Sequence, residues 1–172
     1  MLDSERWRIS IRPLHDGVPA FPGFESIVDL WNRKRGGRLL PSRRDFELWD
    51  LGHWAGHVNF SIRTDRGPRF SLYGSENARL FGKDLTGQFL CDHIVDDYRS
   101  EIVSFFEELS RQIAVGHISG QSVMLDRQWL SVETLVLPLG DDHLIANRFM
   151  HVINAAIGPW MGTPRGWLAD PH

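Results

Sequence analysis

Two runs of alternating apolar and polar residues, joined by a turn, constrain the fold of this chain most strongly. Residues 58–63 alternate with a period of two, which predicts a half-buried β-strand. Residues 65–68 combine a glycine and a proline with two charged residues, a composition typical of a turn. Residues 69–73 then place Phe70 and Leu72 on one strand face. Together the three segments predict a β-hairpin.

Apolar residues at helical spacing predict helical structure before this hairpin. Ile27, Leu30 and Trp31 form a narrow stripe along a predicted helix over 25–35, whose last turn is basic. A second short element begins at Ser42, a serine that can cap a helix, with Asp45 at the capping-box position.

A long amphipathic helix is predicted after the hairpin, over residues 96–115, with Gly116 as its C-terminal cap. Its apolar face comprises Ile102, Phe105, Phe106, Leu109 and Ile113. Short turn sequences then separate three apolar segments, which predict antiparallel strands over residues 117–126, 129–139 and 143–152.

This order of elements predicts an α+β fold. We expect a five-stranded antiparallel sheet with helices on one face, preceded by N-terminal helices. The expected parts are an irregular N-terminal lead-in, an N-terminal helical extension, a core and an irregular C-terminal tail, at residues 1–23, 24–56, 57–154 and 155–172.

Composition excludes several classes of protein. The net charge of −3 and the lack of a basic stripe argue against a nucleic-acid partner. The single cysteine, Cys91, cannot form an internal disulfide or build a zinc site alone, and no metal site is predicted. No apolar run is long enough for a signal peptide or a membrane span, so we expect a cytoplasmic protein with no membrane partner.

Several segments resemble the PAS-like domain family found as short single-domain proteins in alphaproteobacteria. They are residues 30–37, 40–46, 70–75 and 81–87. Within them, Ser71 stands where members of that family usually carry an arginine.

The resemblance implies a sensory or signalling module and not an enzyme. In the PAS fold, five antiparallel strands wrap around a cavity that a helical segment closes. We therefore expect a small-molecule ligand, a signalling protein partner, or both. No kinase, cyclase or DNA-binding segment accompanies the domain, so the output is expected in trans. The sequence names no cofactor.

The PAS-like arrangement predicts which side chains face the cavity. The candidates are Phe70, Leu72, Phe81, Phe89, Cys91, Phe105, Glu133 and Arg148. Because a buried arginine needs a partner, we expect Arg148 to meet Glu133 across a hairpin or to bind an anionic ligand. A partly apolar carboxylate is the first ligand to test. The alternative is that Glu133 and Arg148 pair on the solvent face.

The apolar stripe of the 25–35 helix predicts a homodimer. Ile27, Leu30 and Trp31 form a narrow surface that we expect to bury against a second copy of the chain.

Other functions stay open at this point. Cys91 lies near the position of the reactive cysteine in light-sensing PAS relatives that bind flavin. An axial histidine for haem could come from His93, His117, His143 or His151. A small isomerase or dehydratase would need a general base such as His151, His117 or Glu133. A ligand-free interaction protein is the remaining alternative.

Overall fold

The computed structural model describes residues 7–157, which form a mixed α+β structure. The strands are β1 Trp7–Pro13, β2 Val58–Ile62, β3 Arg69–Leu72, β4 Ala114–Gln121, β5 Leu130–Leu139 and β6 Arg148–Ile157. The α-helices are α1 Glu25–Arg35, α2 Ser75–Phe81 and α3 Arg99–Gln112. Short 3-10 helices occur at Arg43–Asp45, Leu48–His57, Leu90–His93 and Asp96–Tyr98.

All neighbouring strands pair antiparallel in one sheet, in the order β1-β4-β5-β6-β2-β3. Strands β2 to β6 supply the five strands that the sequence predicts. The sixth strand, β1, pairs with β4 over residues 7–13. The prediction of an irregular lead-in is therefore wrong for this segment, where β4 provides hydrogen-bond partners that local sequence does not reveal. Residues 1–6 and 158–172 lie outside the described residues.

Helix α1 and the segment that follows it cover one face of the sheet. Ile27, Leu30 and Trp31 are all buried there, in a cluster with Leu135 and Leu137 of β5. Trp31 is 0% exposed, and its indole nitrogen donates a hydrogen bond of 3.0 Å to the Pro138 carbonyl. The predicted dimer interface is therefore wrong, because the stripe already packs against its own sheet.

Helix α3, which follows the hairpin, covers the opposite face of the sheet, and the preceding α1 covers this one. The predicted helix end at Gly116 is wrong: α3 ends at Gln112, and Ile113 adopts a left-handed conformation with φ of 50°. Gly116 instead lies in β4, where a Cβ atom would sit 2.4 Å from the Phe105 ring. This glycine allows close helix–sheet packing.

Several local predictions are confirmed, but the last strand, predicted over residues 143–152, runs over Arg148–Ile157 and so extends into the segment predicted as an irregular tail, because β5 pairs with it along that length. Helix α1 has the predicted bounds, and Ser42 and Asp45 form a reciprocal capping box at the next short helix. Strands β2 and β3 form the predicted hairpin. Within residues 7–157, we find no helix whose length and apolar character would let it cross a membrane.

Candidate ligand-binding cavity

A cavity of about 100 Å³ lies between the sheet and helices α2 and α3, on the face of the sheet opposite α1. Every strand contributes a lining residue, and so do α2, α3 and the segments beside them. The apolar walls come from Trp7, Phe70, Tyr73, Phe81, Leu90, Ile94, Ile102, Phe106, Ile118, Val123, Met124, Val132, Val136 and Ile153. The polar lining residues are Asn59, Ser122, Thr134 and His151. None of these described side chains is an acid, a lysine or an arginine.

Strand pleating explains which residues reach the cavity. Alternate residues of a strand project to opposite faces. Val132, Thr134 and Val136 of β5 therefore line the cavity together, whereas Glu133 and Leu135 between them project toward the α1 side. The same alternation in β6 directs His151 and Ile153 to the cavity.

His151 is the polar centre of the cavity wall. Its ring lies 5.5 Å from the Phe70 ring and 5.3 Å from the Phe106 ring, measured between centroids. Its Nε2 atom is hydrogen-bonded to the Ser61 hydroxyl at 2.7 Å. Burial lowers the pKa of His151 to about 3, since an imidazolium would lose its hydration there. The ring is therefore neutral at ordinary pH.

Asn59 and Tyr73 line the cavity near His151. Asn59 of β2 lies directly opposite His151 in the β2–β6 register. Tyr73 packs edge-to-face on Phe70 with 5.0 Å between ring centroids. Burial raises the pKa of Tyr73, and the nearby Asn59 amide only partly opposes that rise. This part of the wall is polar but uncharged.

Two of the eight predicted cavity residues line the cavity: Phe70 and Phe81. Leu72 packs with the cluster on the α1 side of the sheet. Phe89 is half-buried near the surface, with the Arg66 guanidinium 4.2 Å above its ring centre. Phe105 faces a shallow groove between β1 and α3.

Cys91 is buried but lies away from the cavity. It belongs to the cluster beneath α3, where its sulfur sits close to Gly67. Burial raises the pKa of its thiol, which disfavours the reactive thiolate.

The predicted pair of Glu133 and Arg148 does not form. Glu133 is bonded to His117, with 2.7 Å between Oε1 and Nε2, on the α1 side of the sheet. Arg148, at the start of β6, instead donates to Asp141, with 2.8 Å between Nε and Oδ1. In the β5–β6 register, Glu133 lies opposite Asn154 and not opposite Arg148. Neither charge lines the cavity, so the pocket role predicted for both residues is wrong.

The histidines are also separated. Of the four predicted as haem ligands, His151 alone lines the cavity among the described residues. His117 and Glu133 lie on the opposite face from His151, so these three candidate bases do not share a site. Within residues 7–157, no three His, Cys, Asp or Glu side chains are close enough together to hold a metal ion.

The cavity residues that the sequence analysis missed include Asn59, Tyr73 and Thr134. A period-two signal exists for each strand, but both faces of β5 and β6 are buried. The apolar and polar residues therefore do not alternate in a way that identifies the cavity face.

Comparison with known families decides the identity of this fold. The sequence model of the PAS domain matches residues 21–153. The chain belongs to the PAS domain family. No curated protein and no solved structure matches it. The match includes α1, in agreement with the packing of this helix on the PAS sheet. PAS domains are in general sensory and signalling modules, and they are typically not enzymes.

Proposed function

We propose that this PAS domain is a sensor that binds a small, neutral and largely apolar molecule in its cavity. The observation that carries the proposal is the composition of the cavity wall. It is apolar over most of its surface, and its polar residues are uncharged. Histidine is the side chain that ordinarily titrates near neutral pH. His151 is the one histidine among the described lining residues, and burial keeps it neutral.

The size of the cavity limits the ligand. Typical ligand pockets have volumes of roughly 300–1,000 Å³, whereas an apolar protein cavity of roughly 150 Å³ can bind benzene or xenon. At about 100 Å³, this cavity suits a molecule no larger than a single small ring. A haem or a flavin is much larger and would require the sheet and α3 to separate.

The charge of the wall argues against the carboxylate that the sequence suggested first. An ion in an apolar interior is unfavourable unless a charged partner or several hydrogen bonds compensate for its lost hydration. Arg148 was the expected partner, but it is bonded to Asp141 outside the cavity. A neutral ligand avoids this cost.

Signalling would follow from a shift between two packings of the cavity walls. A ligand changes such an equilibrium only if it binds one packing more tightly than the other. Residues of α2, of α3 and of the segment between them line the cavity, so their position is the most directly linked to the ligand. A protein partner that reads this change would act in trans. Any self-association would use a surface other than the buried stripe of α1.

Thermal unfolding in the presence of matched probes tests the proposal. Benzene and benzoate share a ring but differ in charge at pH 7. We expect benzene to raise the unfolding temperature in a concentration-dependent way and benzoate to leave it unchanged. Stabilisation by benzoate alone would contradict a neutral site.

Two buried valines provide a matched pair of variants. Val132 lines the cavity, whereas Val152 is buried on the opposite face of the sheet. We expect Val132→Leu to fill part of the cavity and to reduce the benzene effect, and Val152→Leu to preserve it. An equal benzene effect in both variants would place the binding site elsewhere.

A further inference from the structure

A buried hydrogen-bond network fixes the orientation of two asparagine side chains beside the cavity. The Gly74 backbone N–H donates to Asn59 Oδ1 at 2.8 Å. Because a peptide N–H can only donate, the accepting atom of Asn59 must be its oxygen. Asn77 bonds to that same oxygen at 2.9 Å, so its bonding atom must be the amide nitrogen. Neither amide can be flipped without loss of these bonds.

This orientation leaves one buried group of each asparagine unused. Asn59 Nδ2 and Asn77 Oδ1 have no partner at hydrogen-bond geometry among the described residues, although the Asn59 amide lies near enough to the Tyr73 hydroxyl to influence its pKa. The two residues are 1% and 0% exposed. A buried polar group without a partner is unfavourable and rare in folded proteins, so each such group requires an explanation.

The cavity supplies that explanation for Asn59. Asn59 lines the cavity, while its oxygen is held by Gly74 and Asn77. Two other polar groups of the cavity wall already take part in hydrogen bonds within the protein. His151 Nε2 is bonded to Ser61, and the Ser122 hydroxyl accepts from the Met124 backbone.

We propose that the ligand carries a hydroxyl or carbonyl oxygen that accepts a hydrogen bond from Asn59 Nδ2. This inference rests on the proposed function and names the chemical class of the ligand. The class is that of small neutral alcohols, phenols and ketones. A hydroxyl oxygen can accept this bond as a carbonyl oxygen does. A carboxylate is excluded from the class by its charge.

Fluorobenzene and phenol are suitable probes because they have nearly the same size, and phenol is neutral at pH 7. Only phenol carries a hydroxyl. Direct titration of each would give the ratio of their dissociation constants. We expect Asn59→Leu to shift this ratio against phenol by about fivefold to tenfold, the typical effect of one hydrogen bond. The control is Thr134→Val, which removes a hydroxyl from another strand of the cavity wall. We expect that variant to keep the wild-type ratio.

The Asn59→Leu variant also removes the acceptor of Gly74, so it could fail to fold. NMR of the wild-type side-chain amides does not have this difficulty. We expect phenol to move the Asn59 Nδ2 resonances and fluorobenzene to move them much less. Asn32, whose Nδ2 donates to the Val18 carbonyl on the other side of the sheet, is the internal control.

The outcomes separate this inference from the proposed function. If both probes bind and the Asn59 amide responds equally to them, the hydroxyl or carbonyl class is wrong while the neutral cavity stands. An unchanged binding ratio in folded Asn59→Leu has the same meaning. If neither probe binds, the proposed function fails and this inference fails with it.

Discussion

The His151 ring and the Ser61 hydroxyl form a buried hydrogen bond of 2.7 Å that joins β6 to β2 on the cavity face. The ring also contacts Phe70 and Phe106, so aromatic side chains exclude water from it. The pair supplies polarity without charge, which is the property on which the proposed ligand class depends.

The first prediction concerns the pH dependence of stability. Burial lowers the pKa of His151 to about 3, below the value of 6.5 expected for an unfolded chain. Between these values the unfolded chain binds a proton that the folded chain does not. The stability that neutral His151 contributes is therefore complete above pH 6.5 and is lost as pH falls toward 3. We expect a loss of at most about 1.4 kcal/mol per pH unit from this group.

Denaturant unfolding of wild type and of His151→Gln checks this prediction. The measurements would cover roughly pH 4 to pH 7. Burial also lowers the pKa of His57 and His93, but both residues remain in the variant and cancel in the difference. Wild type should lose stability more steeply on acidification than the variant. Parallel curves would show that His151 is accessible to protons in the folded state.

The second prediction concerns the close contact of α3 with the sheet. A Cβ at Gly116 would lie 2.4 Å from the Phe105 ring and 2.9 Å from Leu109. We expect Gly116→Ala to lower the free energy of unfolding by about 1–3 kcal/mol through overpacking. Gly37 has open space around the same position, so Gly37→Ala should be neutral or stabilising by up to about 1 kcal/mol. Equal effects in chemical denaturation would contradict the packing.

The third prediction concerns α1 as part of the domain core. Trp31 is completely buried and bonded to Pro138, whereas Trp49 is 78% exposed. We expect Trp31→Ala to lower the free energy of unfolding by about 3–5 kcal/mol. Trp49→Ala should change it by less than about 0.5 kcal/mol.

Light scattering on the folded Trp31→Ala protein adds a second readout. The mass should equal that of wild type, since Trp31 contacts its own sheet and not a partner. If wild type were a dimer and this variant a monomer, the result would support the α1 dimer interface and contradict the packing seen here.

Local sequence was sufficient to predict those elements whose signals are also local. The stripe of Ile27, Leu30 and Trp31 marked α1, and the spacing of Ser42 and Asp45 marked a capping box. The surface that each element buries depends on distant residues. For that reason the stripe of α1 was assigned to a second copy, although it packs on β5.

The cavity could be predicted only in part for a similar reason. Phe70 and Phe81 were identified, but Arg148 and Glu133 were assigned to the wrong side of the sheet. Arg148 is the residue immediately before Phe149, and Phe149 packs under α3. Because adjacent strand residues project to opposite faces, the Arg148 side chain projects away from the cavity. Because both faces of the central strands are apolar, the sequence does not show which face holds the cavity.

The fourth prediction distinguishes two adjacent phenylalanines of α3. Phe105 and Phe106 are both buried, and each change to alanine should cost about 3–5 kcal/mol. Only Phe106 lines the cavity. We therefore expect Phe106→Ala to bind a larger neutral ring, such as naphthalene, and Phe105→Ala not to bind it. Thermal shifts with naphthalene measure the difference. Equal shifts in the two variants would mean that Phe106 does not bound the cavity.

A crystal structure determined under xenon pressure tests the account most directly. Xenon binds in apolar protein cavities without hydrogen bonds or charge. We expect xenon density in the space bounded by Phe70, Phe106, Val132 and His151, and we expect it to disappear in Val132→Leu. A wild-type crystal with no xenon at this position, or with side chains filling the space, would contradict a ligand cavity in this PAS domain.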